Sequence, residues 1–253
     1  EKEVGNVKKT GMTKGQMSES FLTMIFLSMS GGLMDAYSYL ARGGVFANAQ
    51  TGNVVLLSVN TFAGEWSKAL HYLVPILAFA AGVLIVDSVR NHFNHFQRVH
   101  WRQLVLLAEI LLSVLVGFLP NQLDMLANVI VSLSCAMQVQ AFRKVDGYTF
   151  ASTMCTGNLR SGIESLNAWR RTGNQKALMK AGDYFGVILL FSVGAGAGSL
   201  LVKVMGIRTI WCSAALLLVG FLLMFIKEDI EENPELQKEL QEIREELHEE
   251  MKR

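Results

Sequence analysis

The tripeptide Thr-Gly-Asn occurs twice in the chain, at residues 51–53 and 156–158, each time within apolar sequence. Threonine is a favourable N-cap, because its hydroxyl accepts a hydrogen bond from an amide of the first helical turn, and glycine lets another backbone come close. We therefore expect a helix to begin at each threonine. The free amides and positive dipole end of such a helix favour an anion or a dipolar group. The candidate substrate-binding residues are Thr51, Gly52, Asn53, Thr156, Gly157 and Asn158.

Two acidic residues lie in apolar runs, Asp35 in "GGLMDAYSYL" and Glu109 in "LLAEILL". An ionisable side chain is costly inside a bilayer, so it marks a transport pathway or a partner by default. Asp35 is the leading ionisable candidate for the binding site. A position in water near the outer interface is the alternative, since Arg42 follows soon after. Glu109 is a candidate for proton relay or coupling, with a structural hydrogen bond between helices as the alternative.

Other reactive side chains have simpler explanations. Arg160 and Glu164 are four residues apart, which usually stabilises a helix, but both are also candidates for coupling or gating, with Arg160 at the cytoplasmic side. Cys155 has no general base near it in the sequence, so we interpret it as a packing residue. The histidines of the loop "RNHFNHFQRVHWR" are irregularly spaced among arginines, which favours a lipid-headgroup patch over zinc. The sequence contains no nucleotide-binding, nucleophile-elbow or zinc-protease motif, so we expect no enzyme, no cofactor and no metal.

The elements that carry these residues are those of a membrane protein. Hydrophobic residues make up 51% of the chain and charged residues only 18%, and the charges gather in blocks. Several apolar runs are long enough to cross a hydrocarbon layer of about 30 Å as helices. The first run would act as its own insertion signal, because the residues before it are polar. We expect six transmembrane helices, at residues 20–41, 69–89, 103–119, 123–142, 183–204 and 207–226.

The two tripeptides belong to an internal repeat. The segment "MDAYSYLARGGVFANAQTGN" aligns with "MQVQAFRKVDGYTFASTMCTGN", which pairs Asp35 with Gln138 and Tyr37 with Gln140. These four residues would form an asymmetric polar site, so we add them to the candidate substrate-binding residues. Small residues at 78–82 and 194–198 allow close helix approach, within the chain or between subunits. The alignment predicts repeat 1 at residues 20–122 and repeat 2 at residues 123–227.

The distribution of positive charge indicates how the tripeptide segments meet the membrane. A helix from Thr51 to Phe62 would be about 18 Å long, roughly half the bilayer core. If both segments dip in and return, only Arg42, Lys68, Lys203 and Arg208 face one side, whereas full crossing divides the basic residues almost evenly. The positive-inside rule favours six spans with both termini cytoplasmic. Three spans per repeat make the copies inverted, with re-entrant half-helices pointing at the midplane. Ordinary turns outside the bilayer are the alternative.

The two ends of the chain differ from the membrane part. Residues 1–19 are polar and are expected to form a cytoplasmic N-terminal tail. Residues 228–253 are acidic, and Asn233 and Pro234 open a predicted cytoplasmic amphipathic helix. This helix would pair with itself or lie on the protein. Its apolar stripe consists of Leu236, Leu240, Ile243, Leu247 and Met251.

The motifs "GGLMDAYSYL" and "GGVFANAQTGNVV", together with the second Thr-Gly-Asn, carry a family resemblance. Over approximately residues 20–226 the chain resembles the YoaK-like family of uncharacterised bacterial transmembrane proteins, a domain-of-unknown-function group. The resemblance implies a location in the bacterial cytoplasmic (inner) membrane. It implies no substrate, and the acidic tail lies outside the shared part.

We therefore expect an all-α integral membrane protein that transports a small anionic or dipolar solute, as a channel or secondary transporter. The expected partners are the lipid bilayer, the solute and a second copy in a homodimer, with no nucleic acid. One alternative is an intramembrane enzyme with Asp35 and Glu109 as acid and base, which needs both carboxylates at one cavity. The other is a membrane scaffold or regulator that acts through the C-terminal helix.

Overall fold

A computed structural model of the protein describes residues 21–93, 101–145, 148–149 and 152–232. The expected C-terminal stripe and most of the histidine loop lie outside these ranges. The described residues form eight α-helices and one short hairpin, in which β1 (Lys144–Val145) pairs antiparallel with β2 (Tyr148–Thr149). The helices are α1 (Phe21–Ala41), α2 (Gln50–Phe62), α3 (Trp66–Phe93), α4 (Trp101–Val116), α5 (Asp124–Ala141), α6 (Cys155–Thr172), α7 (Gln175–Met205) and α8 (Ile210–Glu232).

Three stretches of these helices are apolar and long enough to cross a membrane by length and composition: Trp66–His92, Asn121–Ala141 and Gln175–Met224. The third contains both α7 and α8, which a 3₁₀ turn at Gly206–Thr209 separates. The protein is therefore a predominantly helical membrane protein, as its composition predicts. Each of the six predicted spans contains the greater part of one helix, namely α1, α3, α4, α5, α7 or α8.

Two helix lengths differ from the prediction for identifiable reasons. Helix α7 has 31 residues and begins well before residue 183, because the Asn174 side chain caps it by accepting a 3.0 Å hydrogen bond from the Lys176 amide. Helix α6 has 18 residues, about 27 Å, and is longer than a half-helix. Its last turn carries Arg170 and Arg171, and Gly173 ends it in the left-handed conformation.

The helices pack in corresponding pairs. Helix α1 packs mainly on α7, and α5 packs mainly on α3. Helix α2 packs on α3 as α6 packs on α7, and α4 contacts α5 as α8 contacts α1. The first helix of each half of the chain thus lies against a helix of the other half.

Glycines allow these long contacts. A Cβ at Gly194 of α7 would collide with the Met29 carbonyl of α1, and a Cβ at Gly82 of α3 would lie 2.5 Å from the Leu133 carbonyl of α5. The small-residue segments predicted from the sequence therefore provide close approach within the chain. Because Gly194 and Gly82 contact helices of the same chain, a homodimer would have to form through another surface.

Arg42 closes one end of the bundle. Its guanidinium is fully buried and donates to the Tyr37 hydroxyl at 2.6 Å and to the Asp124 carboxylate at 2.8 Å. It also donates to the carbonyl of Val116, the last residue of α4, at 3.1 Å and to the carbonyl of Leu119, which follows this helix, at 2.8 Å. Arg42 thus joins the C-terminus of α1 to the connection between α4 and α5.

Candidate functional site

The N-termini of the two Thr-Gly-Asn helices open onto one cavity of about 830 Å³. Helix α1 forms one wall, and single aromatic residues of α3 and α7 contribute to the others. Four residues predicted from the sequence line it, namely Asp35, Thr51, Thr156 and Gly157. The remaining lining residues are Ala36, Tyr39, Leu40, Phe46, Asn48, Ala49, Gln50, Phe79, Thr153, Met154, Cys155, Phe191 and Ala195.

The expectation that Thr51 and Thr156 are N-caps is wrong. The N-cap of α2 is Ala49 and that of α6 is Met154, and neither helix has a side-chain cap. Each threonine is the second helical residue and is exposed. At α2 the local preference of threonine is overridden because the asparagine of the tripeptide, Asn53, fixes the chain that leads into the helix.

Asn53 braces the first entering segment, which we define as residues 43–49. Its Oδ1 accepts a hydrogen bond from the Phe46 amide at 3.0 Å, and its Nδ2 donates to the Phe46 carbonyl at 2.7 Å and to Gln50 Oε1 at 2.9 Å. The side chain is fully buried. It satisfies backbone groups that would otherwise be unpaired in an apolar environment. Asn158 is likewise buried, but residue 151, its corresponding partner, lies outside the described residues.

Asp35 lies against the N-terminal side of α2. Its Oδ1 accepts a 2.7 Å hydrogen bond from the Asn48 amide, and the amides of Ala47 and Ala49 also interact with the carboxyl. Only 7% of the residue is exposed, which is not the exposure of a side chain in interfacial water. The sequence predicted free amides at the N-terminus of α2. In the structure these amides are not free. A protein carboxylate already occupies that position.

Gln138, the repeat partner of Asp35, has a related role. Its Nε2 donates to Ser152 Oγ at 2.9 Å and to the Leu27 carbonyl at 3.1 Å. Asp35 and Gln138 each tie the first helix of a repeat to the segment that leads into its Thr-Gly-Asn helix. Gln138 does not line the cavity, so only the acidic member of the pair faces it.

Tyr37 and Gln140 lie away from the cavity. Tyr37 accepts a hydrogen bond from Arg42, and Gln140 Nε2 donates to Asp87 Oδ1 of α3 at 2.6 Å. Two residues along a helix correspond to a rotation of about 200°, so Tyr37 is on the opposite face of α1 from Asp35. The alignment that paired these residues carried no information on which face of each helix meets the cavity.

Glu109 is fully buried between helices and does not line the cavity. Neither carboxylate oxygen has a hydrogen-bond partner among the residues that the structure describes. Cys135 of α5 lies within electrostatic range of both Glu109 and Asp35, and it also contacts Asn48. Asp35 lines the cavity and Glu109 does not, so the two acids do not share a cavity surface.

Arg160 and Glu164 form a 2.9 Å ion pair on an exposed face of α6, with side-chain exposures of 81% and 62%. They do not line the cavity. Within the described ranges, no group of three His, Cys, Asp or Glu side chains is placed to hold a metal ion.

Three polar residues line the cavity that were not predicted as site residues, namely Asn48, Gln50 and Thr153. Asn48 and Thr153 are buried, with 6% of each exposed, and each precedes the asparagine of its tripeptide by the same interval. Asn48 Nδ2 donates to the Gly31 carbonyl at 3.1 Å, and a Cβ at Gly31 would contact the Thr153 side chain. The two entering segments therefore converge on this glycine of α1. The repeat spacing was the signal that could have identified both residues.

Comparisons with known proteins agree with the sequence resemblance. The family described as "Protein of unknown function (DUF1275)" matches residues 23–223. The "UPF0700 transmembrane protein YoaK" of Bacillus subtilis (strain 168) is 26% identical over 163 residues, which cover 62% of this chain and 70% of that protein. No solved structure matches the chain. Because the family match spans most of the sequence, the chain belongs to the DUF1275 family, and the predicted resemblance to YoaK-like proteins is confirmed.

Proposed function

We propose that the protein is a membrane transport protein, a channel or secondary transporter, for a small anionic or dipolar solute. The observation that carries the proposal is the convergence of the α2 and α6 N-termini on one cavity. Irregular backbone within a bilayer is tolerated where protein buries it or where it lines a cavity, and in transporters such breaks mark the solute site.

The helix arrangement supports six spans in two inverted repeats. Helix α2 has 13 residues, about 20 Å, and is too short to cross about 30 Å of hydrocarbon. Helix α1 of the first repeat packs on α7 of the second, and α5 of the second packs on α3 of the first. Such reciprocal packing is expected of two copies related by a pseudo-two-fold axis. Positive charges in the sequence favour cytoplasmic termini. Membership of a family with a bacterial transmembrane relative favours the bacterial cytoplasmic membrane.

Glu109 fits a coupling role within this proposal. A buried carboxyl with no partner among the described residues is costly as a charge, and proton uptake removes that cost. The structural alternative needs a hydrogen bond between helices, and the described part of the chain provides none to Glu109. We assign Arg160 and Glu164 to helix stability.

The enzymatic alternative is less favoured, because Asp35 lines the cavity while Glu109 is fully buried and does not line it. Acid and base catalysis requires both groups to reach the same substrate. A regulator acting through the C-terminal helix is distinguished by deleting residues 233–253. Loss of a cellular phenotype with unchanged solute flux would favour that role.

Cavity access from both sides of the membrane tests transport without knowledge of the solute. A single cysteine at Ala195, which lines the cavity, is placed in a chain whose native cysteines are replaced. An impermeant maleimide is then added to right-side-out and inside-out vesicles. We expect labelling in both. A matched control, Ala168→Cys on an exposed part of α6 away from the cavity, should label from one side only. Labelling of position 195 from one side or neither contradicts a transport pathway.

A further inference from the structure

The cavity lining has two polar regions, the Asp35 carboxylate and the N-terminus of α6, which we call the Asp35 end and the α6 end. We propose that its solute is a zwitterion, with a cationic group beside Asp35, an anionic group at the N-terminus of α6 and an apolar body between them. The inference rests on the proposed function and narrows its solute class, since it excludes simple anions.

The Asp35 end favours a cation. Asp35 is an acidic side chain on the cavity lining, and the amides of Ala47, Asn48 and Ala49 hold its carboxyl in place. The cavity lining contains four aromatic residues and, within the described ranges, no Lys or Arg. Aromatic faces attract cations through the ring quadrupole. A solute with only negative charge would be repelled here.

The α6 end favours an anion. Cys155, Thr156 and Gly157 of its first turn line the cavity, and no side chain caps the helix. Thr153, which also lines the cavity, is buried, and its hydroxyl has no partner among the described residues. A hydroxyl and uncapped amides at a helix N-terminus are suitable donors to a carboxylate or similar group.

The corresponding end of α2 is closed to an anion. Asp35 occupies the amides before it, and Phe46 covers its first turn, since a Cβ at Gly52 would lie 2.8 Å from the Phe46 ring. By contrast, a Cβ at Gly157 would meet no atom within 4 Å. The two repeats therefore contribute opposite polarity to the cavity. Its volume of about 830 Å³ is within the range of small-molecule sites.

Two matched series of probes test the inference by calorimetric binding to the full chain in nanodiscs. The first is glycine betaine, choline and 3,3-dimethylbutyrate. The second is leucine, isopentylamine and 4-methylpentanoate. In each series the second probe lacks the anionic group and the third lacks the cationic group. We expect at least one zwitterion to bind at least about 10-fold more tightly than both of its single-charge analogues, as loss of a charged hydrogen bond implies.

Two variants test which end of the cavity binds each charged group of the zwitterion. Asp35→Asn should weaken zwitterion binding about 10- to 100-fold and reduce the preference over the anionic analogue. Gly157→Leu should block the α6 end while the protein folds, because the position is open. Gly182→Leu, at an exposed and equally open glycine of α7, is its control and should bind normally.

Three outcomes overturn the inference: an anionic analogue that binds as tightly as its zwitterion, zwitterion binding unaffected in folded Asp35→Asn and Gly157→Leu, or no binding of any probe to folded wild-type protein. The labelling of position 195 distinguishes a failure of this inference from a failure of the proposed transport function. Access from both sides without zwitterion binding rejects the solute class alone, and zwitterion binding with access from one side rejects transport alone.

Discussion

Arg42 Nη1 lies 2.8 Å from Asp124 Oδ1, and this ion pair joins the end of α1 to the start of α5. The arginine side chain is fully enclosed, so its charge depends on Asp124 and on the carbonyls around it for compensation. From the sequence alone, Arg42 is only a positive charge at one membrane surface. In the structure it fastens the two halves of the chain to each other.

Replacing Arg42 with methionine should destabilise the protein by about 3–5 kcal/mol, because Asp124 and two or more carbonyls lose their partner. Thermal unfolding of purified protein in detergent measures the effect. Lys68→Met is the control, since Lys68 forms an exposed pair with Glu65 and should contribute less than about 1 kcal/mol. Equal unfolding temperatures for the two variants would contradict a structural role of Arg42.

Asn53→Ala should destabilise the protein by about 2–4 kcal/mol, because the amide and carbonyl of Phe46 lose their hydrogen bonds. Asn60→Ala in the same helix removes only a bond to the carbonyl of Leu56 one turn earlier, so it should cost less than about 0.5 kcal/mol. Chemical or thermal unfolding compares them. A larger effect at position 60 would show that the entering segment does not depend on Asn53.

Gly194→Ala should destabilise the packing of α1 on α7 by about 1–3 kcal/mol or more, because the added methyl group collides with the Met29 backbone. Gly196→Ala, two residues along the same helix, meets open space and should be neutral or stabilising by up to about 1 kcal/mol. The unfolding midpoints of the two variants test this. A tolerated alanine at 194 would mean that the two helices are further apart.

The connections after α2 and α6 should lie on opposite sides of the membrane. Single cysteines at Glu65 and Gln175, which begin or precede the next helix and are exposed, report their positions. We expect an impermeant thiol reagent to reach position 65 from outside the cell and position 175 only from the cytoplasm. Labelling of both from the same side would reject inverted topology.

Most of the fold was predictable because it depends on local sequence. Apolar runs located the core of six helices, and the repeated tripeptide located the start of α2 and α6 to within one residue. The position of Asp35 at the cavity was also predictable, because an acidic residue in an apolar run requires a partner or a transport pathway.

The errors concern tertiary contacts. Thr51 has the residue type of an N-cap, but Asn53 reaches back to Phe46 and sets the start of α2 instead. Tyr37 was selected by alignment, although its face of α1 meets Arg42. The roles of Asn48 and Thr153 depend on the convergence of two distant segments at Gly31, which no local pattern expresses.

The packing of α1 on α7, a helix of the other half of the chain, has a consequence for biogenesis. When synthesis has reached the end of repeat 1, the helix that covers α1 has not yet been made, because that helix is α7. We therefore expect that the first repeat does not fold by itself and that α1 stays in lipid or with the insertion machinery until α7 has emerged. Residues 20–122 expressed alone should be rapidly degraded and should be rescued by co-expressed residues 123–253, whereas a stable lone fragment would show that each half folds independently.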